Sequence, residues 1–287
     1  MNEISRIDLH MHTTVSDGTD SPLEIIGKVK SAGIDLFSVT DHDAIKGSKT
    51  IREILKDDAP LFITGAEFSC KDEEGKYHIL GYSYDPDSRH MKDLVTLGHG
   101  YRISKVMARL EFIKEEFGFV FTEDEIRELL SLDNPGKPHI GNLMVKHGYA
   151  RTRKEAITEF IDRKKFKSEY VRPEEAIDGI LKAGGIPVLA HPSYGSGEEI
   201  IVGDKMDMRL KKLMEYGLQG VEAFYSGFTN KLISEMLFFA DKYDLYVTAG
   251  SDYHGKNKME ELGDNNLPDK DEWPDGLLRF LKAIGLG

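Results

Sequence analysis

The sequence has few of the features that mark an exported or membrane-bound chain. Only one residue, Cys70, is a cysteine, so an internal disulfide is excluded and a reducing compartment is favoured. No apolar run approaches the roughly 18–20 residues that cross a bilayer. The chain begins Met1-Asn2-Glu3 and soon enters a strand-like segment, which predicts no signal peptide. We therefore expect a cytoplasmic protein without a membrane partner.

Positive charge is also scarce. The 38 Lys and Arg residues face 50 Asp and Glu, and the formal net charge is −12. This balance argues against a surface for long duplex nucleic acid, whose phosphates are bound by cations. The exception is the window from Lys137 to Arg172, where ten Lys or Arg face four acids. The window is either a solvated helix face or a trap for an anionic substrate. No obligate protein partner is evident.

Short apolar segments, each closed by a polar residue, alternate with helical patterns. Ser21-Pro22 marks one helix start and Ala32-Gly33 its end. Such alternation predicts a parallel sheet with helices outside. Seven strands favour a closed or distorted (β/α)7 barrel, and an open doubly wound sheet is the alternative. The predicted strands are Arg6–His12, Asp35–Asp41, Leu61–Glu67, Tyr77–Ser83, Ile186–His191, Gly220–Tyr225 and Tyr246–Asp252.

One region breaks this alternation. Residues 99–170 show helical periodicity with no convincing strand between the helices. We expect a helical insertion, or cap, between the fourth and fifth strands, with residues 1–98 and 171–287 forming the barrel domain. The insertion also carries the basic window. Its predicted helices are Ile103–Phe117, Glu123–Leu132, Ile140–His147 and Lys154–Ile161.

Histidines and carboxylates collect at the strands, mostly at their ends. His10 and His12 stand two apart, which on a strand directs both imidazoles to one face. In α/β barrels the carboxyl ends of separate strands share one rim, where functional groups meet. Nitrogen and oxygen ligands of this kind suit zinc, iron or manganese. The remaining candidate ligands are Asp17, His42, Glu67, His78, His191, Asp252 and His254.

Taken in order, these motifs resemble those of the PHP (polymerase and histidinol phosphatase) family from residue 6 to about 255. The similarity is closest to the stand-alone bacterial metal-dependent phosphoesterases. It implies a distorted (β/α)7 barrel that holds two or three divalent ions, usually manganese, zinc or iron. The motifs are His10-Met11-His12, Asp17, Thr40-Asp41-His42-Asp43, Gly65-Ala66-Glu67, Ala190-His191-Pro192 and Ser251-Asp252-Tyr253-His254.

The resemblance also implies how the ligands divide among three ions. His10, His12, Glu67 and Asp252 would hold the first ion. Glu67 would bridge to a second ion, completed by His78 and His191. Asp17, His42 and His254 would hold the third. The ligands expected to take part directly in catalysis are Asp17, His42, Glu67, His191 and His254.

Adjacent divalent ions suit the hydrolysis of a phosphate ester by a water that the metals activate. The substrate contacts are expected partly from the insertion. Lys137-Pro138-His139 resembles an Arg-Pro-His segment of the phosphoesterases, with lysine in place of arginine. Lys164, Lys165 and Lys167 are weaker candidates, for which surface solubility is the competing interpretation. Tyr225 and Ser226 follow the sixth strand and line either the substrate pocket or the core.

The leading functional hypothesis is a phosphatase for a small phosphorylated metabolite, such as a 3′,5′-bisphosphonucleoside. Trimming of short oligoribonucleotides from the 5′ end is the first alternative, since a modest basic window suits a few phosphates. Hydrolysis of histidinol phosphate is the second. A C–N bond hydrolase of the amidohydrolase type shares the His-x-His start, but it commonly uses a carboxylated lysine where Glu67 stands here. A non-catalytic metal-binding module is the last alternative.

Overall fold

The computed structural model describes residues 4–166, 169–194 and 200–286. The chain divides into two compact units. The first comprises Met1–Val95 and Val171–Gly287, and the second comprises Thr96–Tyr170. Within the described ranges, no helix is long and apolar enough to cross a membrane.

The strands of the first unit form two sheets. A three-stranded parallel sheet has the order β1-β2-β3, and a five-stranded mixed sheet has the order β4-β5-β6-β7-β8. The strands are β1 (Ile7–Asp8), β2 (Leu36–Phe37), β3 (Leu61–Phe62), β4 (Gly65–Lys71), β5 (Lys76–Tyr82), β6 (Ile186–Leu189), β7 (Gly220–Tyr225) and β8 (Tyr246–Gly250).

The sheet arrangement differs from the predicted all-parallel one. The single strand expected over 61–67 is split, and β3 and β4 belong to different sheets. β4 and β5 are antiparallel, because the four residues between them make a tight turn and a parallel pair needs a long crossover. In that turn Asp72 accepts hydrogen bonds from the backbone N–H groups of Glu74 and Gly75. β5 and β6 are also antiparallel, so the described strands do not form one closed parallel barrel.

Helices lie between most strands of the first unit. The predicted start of α1 is confirmed, since Ser21 and Glu24 form a capping box and Pro22 stands at the first turn. The helices are α1 (Pro22–Ser31), α2 (Lys46–Ile54), α3 (Arg89–Phe117), α4 (Glu123–Leu130), α5 (Lys137–Lys146), α6 (Arg153–Glu155), α7 (Pro173–Lys182), α8 (Gly203–Glu215), α9 (Asn230–Lys242) and α10 (Asp275–Ala283).

The second unit is helical in its described residues. Most of α3 lies in it, together with α4, α5 and α6, and a π-helical turn at Ala156–Phe160 continues α6. These helices bury a core of their own, because their apolar faces recur at helical spacing. The fully buried members of that core are Val106, Ile113, Ile140, Met144, Ala156 and Ile161.

Backbone contacts bring the ends of the two sheets together in the first unit. The N–H of Leu9 donates to the carbonyl of Ala249 at 2.9 Å, which joins the segment after β1 to β8. His42 and Glu67 form an isolated parallel bridge between the segment after β2 and β4. Gly250 allows β8 to approach the segment after β1 closely, since a Cβ at this position would lie 2.2 Å from Cβ of His10. The residues that follow β1, β2 and β8 therefore converge near β4.

Candidate metal centre

The first two histidines of the chain are buried in the region where these strand ends converge. His10 and His12 have no solvent exposure, and their ring centroids are 5.3 Å apart. Nδ1 of His10 lies 2.9 Å from Glu222, and Nδ1 of His12 lies 3.4 Å from the hydroxyl of Ser16. Each ring is thus held through Nδ1, which leaves Nε2 directed toward the other candidate ligands.

Glu67, on β4, lies at the centre of the cluster. Its carboxylate is fully buried, yet both oxygens are surrounded by imidazole nitrogens. Five histidines from four parts of the chain therefore converge on one carboxylate. Oε2 lies 3.4 Å from His10 Nε2, 3.3 Å from His12 Nε2 and 3.0 Å from His42 Nδ1, and Oε1 lies 2.8 Å from His78 Nδ1 and 3.2 Å from His191 Nε2.

A second group forms on the other side of His12. Asp17 Oδ1 lies 3.2 Å from His254 Nε2 and 3.7 Å from His12 Nδ1, and Asp17 Oδ2 lies 3.9 Å from His42 Nε2. The ligand atoms of these four residues all lie within 4.8 Å of one another. His12 and His42 each belong both to this group and to one around Glu67. The two groups are therefore contiguous.

Asp252, at the end of β8, completes the set. Its Oδ1 lies 3.4 Å from His10 Nε2 and 3.2 Å from His12 Nε2. Backbone φ angles are positive at Asp252 (56°) and at His191 (26°), a region that residues other than glycine seldom adopt. Such strain occurs where the surrounding structure fixes a functional side chain. Asp252 and His191 each lie two residues beyond the end of a strand, β8 and β6 respectively.

The distances fit a set of ligands around shared ions. Atoms bound to one ion at about 2.0–2.2 Å are themselves roughly 3 Å apart. His78 Nδ1 and His191 Nε2, at 3.2 Å, have this separation. Among the described residues, the buried side-chain atoms without an aligned hydrogen-bond partner include His10 Nε2, His12 Nε2 and Glu67 Oε2. Since buried polar atoms are rarely left unpaired, these atoms fit a divalent cation.

The residues of the cluster shift one another's pKa values strongly. Burial opposes the charged form of His12, but the carboxylates of Asp252 and Glu67 outweigh it and raise the pKa of His12 to about 9. Burial and the charge of His12 lower the pKa of His254 to about 4. Burial would raise the pKa of Glu67, but the surrounding histidines hold it well below its ordinary value. Protons therefore occupy part of the site when no cation does.

Glu222 on β7 is a supporting residue that the sequence motifs did not indicate. Its carboxylate is fully buried; Oε1 faces His10 Nδ1, and Oε2 accepts the backbone N–H of His191 at 2.8 Å. Metal-binding histidines commonly donate their second nitrogen to a carboxylate, which fixes the ring and its tautomer. The available signal was an acid inside the otherwise apolar strand Gly220–Tyr225.

A bulge in β7 directs two side chains of that strand toward the cluster. The pairing register with β8 shifts between Glu222 and Phe224. Side chains three residues apart on a regular strand point to opposite faces of the sheet. The extra residue of the bulge turns Glu222 and Tyr225 to the same face. Tyr225 consequently donates its hydroxyl to Asp252 Oδ2 at 3.0 Å. Tyr225, a predicted substrate contact, thus supports the candidate ligand Asp252. The other predicted contact of this segment is Ser226, whose Oγ is buried and has no hydrogen-bond partner among the described residues.

Asp41 and Asp43, which flank His42, both hold backbone in place. Asp41 is buried and accepts hydrogen bonds from the backbone N–H of Thr13 at 2.8 Å and the hydroxyl of Ser16 at 2.7 Å. Because Ser16 also contacts His12, Asp41 is linked indirectly to that ring. Asp43 accepts the backbone N–H of Ser69 at 2.9 Å. Of the two, Asp41 is the one placed to orient a histidine.

The predicted contacts from the insertion lie in the second compact unit. Lys137 and His139 stand in the first turn of α5, and Lys137 forms an ion pair with Asp162. Lys165 is exposed, and Lys164 lies 5.4 Å from the ring centroid of Phe112. Lys167 lies outside the described residues. A role of these residues in substrate binding stays a prediction.

Comparison with characterised proteins gives relatives that span almost the whole chain. A 5′-3′ exoribonuclease of Haemophilus influenzae is 26% identical over 263 residues, covering 91% of this chain and 94% of that protein. A phosphoribosyl 1,2-cyclic phosphate 1,2-diphosphodiesterase of Eggerthella lenta is 28% identical, with coverages of 87% and 94%. A 3′,5′-nucleoside bisphosphate phosphatase of Chromobacterium violaceum is 25% identical, and the match covers 88% of each chain.

The fold is similar to that of a solved structure as well. A candidate metal-dependent phosphoesterase from Bifidobacterium adolescentis superposes with a TM-score of 0.79 at 26% identity, covering 96% of each chain. The family model of the PHP domain matches residues 8–167, which include six of the nine candidate ligands. Because this match extends over more than half of the sequence, the chain belongs to the PHP domain family.

Proposed function

We propose that the protein is a metal-dependent phosphoesterase that hydrolyses a small phosphorylated substrate. The observation that carries this proposal is the buried carboxylate of Glu67, surrounded by five imidazoles at distances of 2.8–3.4 Å. A carboxylate flanked on both oxygens is suited to bridge two divalent ions. Phosphoesterase activity is also what the names of the relatives have in common.

We propose two or three ions of manganese, zinc or iron, held as the sequence motifs imply. His10, His12, Glu67 and Asp252 form the first site. Glu67, His78 and His191 form the second, and Asp17, His42 and His254 form the third. Support comes from three groups of candidate ligands, within each of which the ligand atoms lie within 4.8 Å of one another. His42 lies closer to Glu67, at 3.0 Å, than to Asp17, at 3.9 Å.

Bound divalent ions would supply an activated water and neutralise the charge of the phosphoryl oxygens. The protein's own groups do the positioning. Glu222 holds the ring of His10 and the backbone of His191, and Ser16 supports His12. Asp17 is the most exposed carboxylate of the cluster, with a side chain that is 40% exposed. The substrate phosphate therefore approaches from the side of Asp17.

For the substrate we propose a nucleotide of the 3′,5′-bisphosphonucleoside type. The phosphatase of Chromobacterium violaceum supports this class, and the chain matches it along 88% of its length. Lys137, His139 and Lys165 are the proposed phosphate contacts of the insertion. Next to His191, the rings of Tyr225 and Tyr194 lie 6.0 Å apart and pack on the buried ring of Phe228, and we propose that these two tyrosines contact the base.

A second candidate is 5′-3′ trimming of short oligoribonucleotides. Exoribonucleases of Haemophilus influenzae and Salmonella typhimurium are both 26% identical to this chain. The ten cations between Lys137 and Arg172 favour it too, since several phosphates would need contacts beyond the metal centre. A mononucleotide substrate requires fewer of these cations, so charge substitutions in the window separate the two candidates.

For the architecture we propose that the two sheets are parts of one distorted (β/α)7 barrel. The hydrogen bond between Leu9 and Ala249 and the bridge between His42 and Glu67 support this, because both join one sheet to the other. Residues 99–170 would be the cap domain, and 1–98 with 171–287 the barrel domain. We also propose a cytoplasmic location, which the lone cysteine supports, and no obligate protein partner.

The test is phosphate release by the purified protein with added Mn²⁺. The panel contains 3′,5′-bisphosphonucleosides, nucleoside monophosphates, histidinol phosphate and short 5′-phosphorylated RNAs. We expect turnover that depends on Mn²⁺, stops with a chelator and is fastest on the bisphosphonucleoside. For the RNAs the product measured is the mononucleotide, by chromatography, because cleavage of a phosphodiester frees no inorganic phosphate. Faster release of mononucleotides from RNA would favour the exoribonuclease, and no hydrolysis of any phosphate ester with Mn²⁺, Zn²⁺ or Fe²⁺ would overturn the proposal.

A further inference from the structure

The two oxygens of Asp252 have different surroundings. Oδ1 faces the imidazoles of His10 and His12 and is the proposed metal ligand. Oδ2 accepts the hydroxyl of Tyr225 at 3.0 Å and forms an ion pair with Lys258 Nζ at 2.5 Å. A lysine ammonium therefore lies one carboxylate away from the proposed metal centre. The sequence-based reasoning did not single out this lysine.

Lys258 is both accessible and held in place. Its side chain is 38% exposed, compared with 6% for Asp252. The segment that carries it is tied to the loop of Asp17, because the N–H of Lys256 donates to Thr19 Oγ1 at 3.0 Å and the amide of Asn257 donates to the carbonyl of Asp17 at 2.7 Å. The Lys258 ammonium has three N–H donors, so it can bind a second anion while it contacts Asp252.

The position of this cation beside a proposed metal ligand disfavours bound divalent ions unless a second anion joins them. An ammonium beside Asp252 weakens that carboxylate as a ligand and repels divalent ions nearby. A phosphate group on the metal ions would reverse this effect, since its oxygens attract the ammonium. A phosphomonoester dianion gains more from that contact than a diester, which has one negative charge fewer.

Resting on the proposed phosphoesterase function, we propose that Lys258 binds an oxygen of the substrate phosphate and favours phosphomonoesters over diesters. Tyr225 is a positioning residue that holds Asp252 Oδ2 and so keeps Oδ1 toward the ions. The two residues act on the same oxygen, but of their two polar groups only the Lys258 ammonium reaches the substrate phosphate.

Binding of inorganic phosphate to the Mn²⁺-loaded protein tests this without turnover. We expect Lys258→Met to weaken phosphate binding by about 10- to 100-fold in calorimetry, with Mn²⁺ stoichiometry unchanged and Lys258→Arg restoring most of the affinity. The control is Lys256→Met, an exposed neighbouring lysine, which should bind phosphate normally. Unchanged phosphate affinity in Lys258→Met, or loss of Mn²⁺ from it, would overturn the proposal.

Turnover then separates this inference from the function on which it rests. For Lys258→Met we expect kcat/KM to fall by about 10-fold or more on a phosphomonoester and by less than about threefold on a phosphodiester. Equal losses on both would overturn the selectivity. Failure of the unaltered protein to hydrolyse any phosphate ester would contradict the proposed function, whereas the calorimetric result on Lys258 would still decide whether it binds phosphate.

Discussion

Glu222 Oε1 lies 2.9 Å from Nδ1 of His10, and both side chains are fully buried. The other oxygen of the same carboxylate accepts the backbone N–H of His191. One acid on β7 therefore fixes a candidate ligand from the start of the chain and another from its second half. A sequence motif around His10 alone gives no indication of this support.

Replacing Glu222 by Gln should weaken metal binding by about 10- to 100-fold, the usual cost of losing an outer-shell partner. Glutamine has a single acceptor oxygen, so it cannot satisfy both His10 and the N–H of His191. Competition with a chromogenic chelator measures the Mn²⁺ affinity. Glu215→Gln, an exposed change at the end of α8, is the matched control. Equal affinity in both variants would contradict the role of Glu222.

Glu67→Gln should reduce kcat/KM by at least the roughly 100-fold that an outer-shell loss can cost, since Glu67 is a proposed ligand itself. The amide keeps the shape but removes the charge that faces five histidines. Metal analysis of the dialysed protein should find at least one ion fewer than in the unaltered protein. Near-normal turnover with full metal content would rule out the bridging role.

Lys137→Ala should raise KM by about 10- to 100-fold, because hydrogen bonds to charged groups are worth about 1.5–3 kcal/mol. The Mn²⁺ affinity should not change, since Lys137 is not a proposed ligand. Steady-state kinetics and metal titration on the same preparation measure both. Lys114→Ala, in α3 of the same unit, is the control. If KM and metal affinity changed together, the assignment of Lys137 to the substrate would fail.

Without bound metal, the protein should lose stability as the pH rises from 6.5 to 9. The pKa of His12 is raised from 6.5 to about 9, so the folded state binds more protons than the unfolded state in this range. Its stabilising contribution is complete below pH 6.5 and is lost as the pH passes 9. Urea unfolding of the chelator-treated protein measures this, and the Mn²⁺-loaded protein should not show the decrease. A chelated protein that became more stable over this range would contradict the prediction.

Gly250→Ala should destabilise the protein by about 1–3 kcal/mol, as overpacking in a core does. Its new Cβ would lie 2.2 Å from Cβ of His10 and 2.6 Å from Glu222 Oε1. The control is Gly27→Ala in α1, where nothing lies within 4 Å and helix propensity predicts a gain of about 0.5–1 kcal/mol. Thermal unfolding compares the two. A neutral Gly250→Ala would show that β8 and the segment of His10 separate easily.

Local sequence determined a large part of this protein. The capping box at Ser21 and the helices of residues 96–170 follow from short patterns, because caps and periodicity act over a few residues. The order of the histidine and carboxylate motifs was also enough to indicate the PHP domain family, which the family comparison confirms.

Only the tertiary structure decided how the strands pair and which groups support the cluster. The antiparallel pairing of β4 and β5 depends on the short turn after Lys71, which the strand pattern does not reveal. Glu222 and Tyr225 reach the site because a bulge places both on the same face of β7, and Lys258 reaches it through the loop after β8. These contacts join residues up to 212 positions apart, and periodicity within one segment carries no information about such pairs.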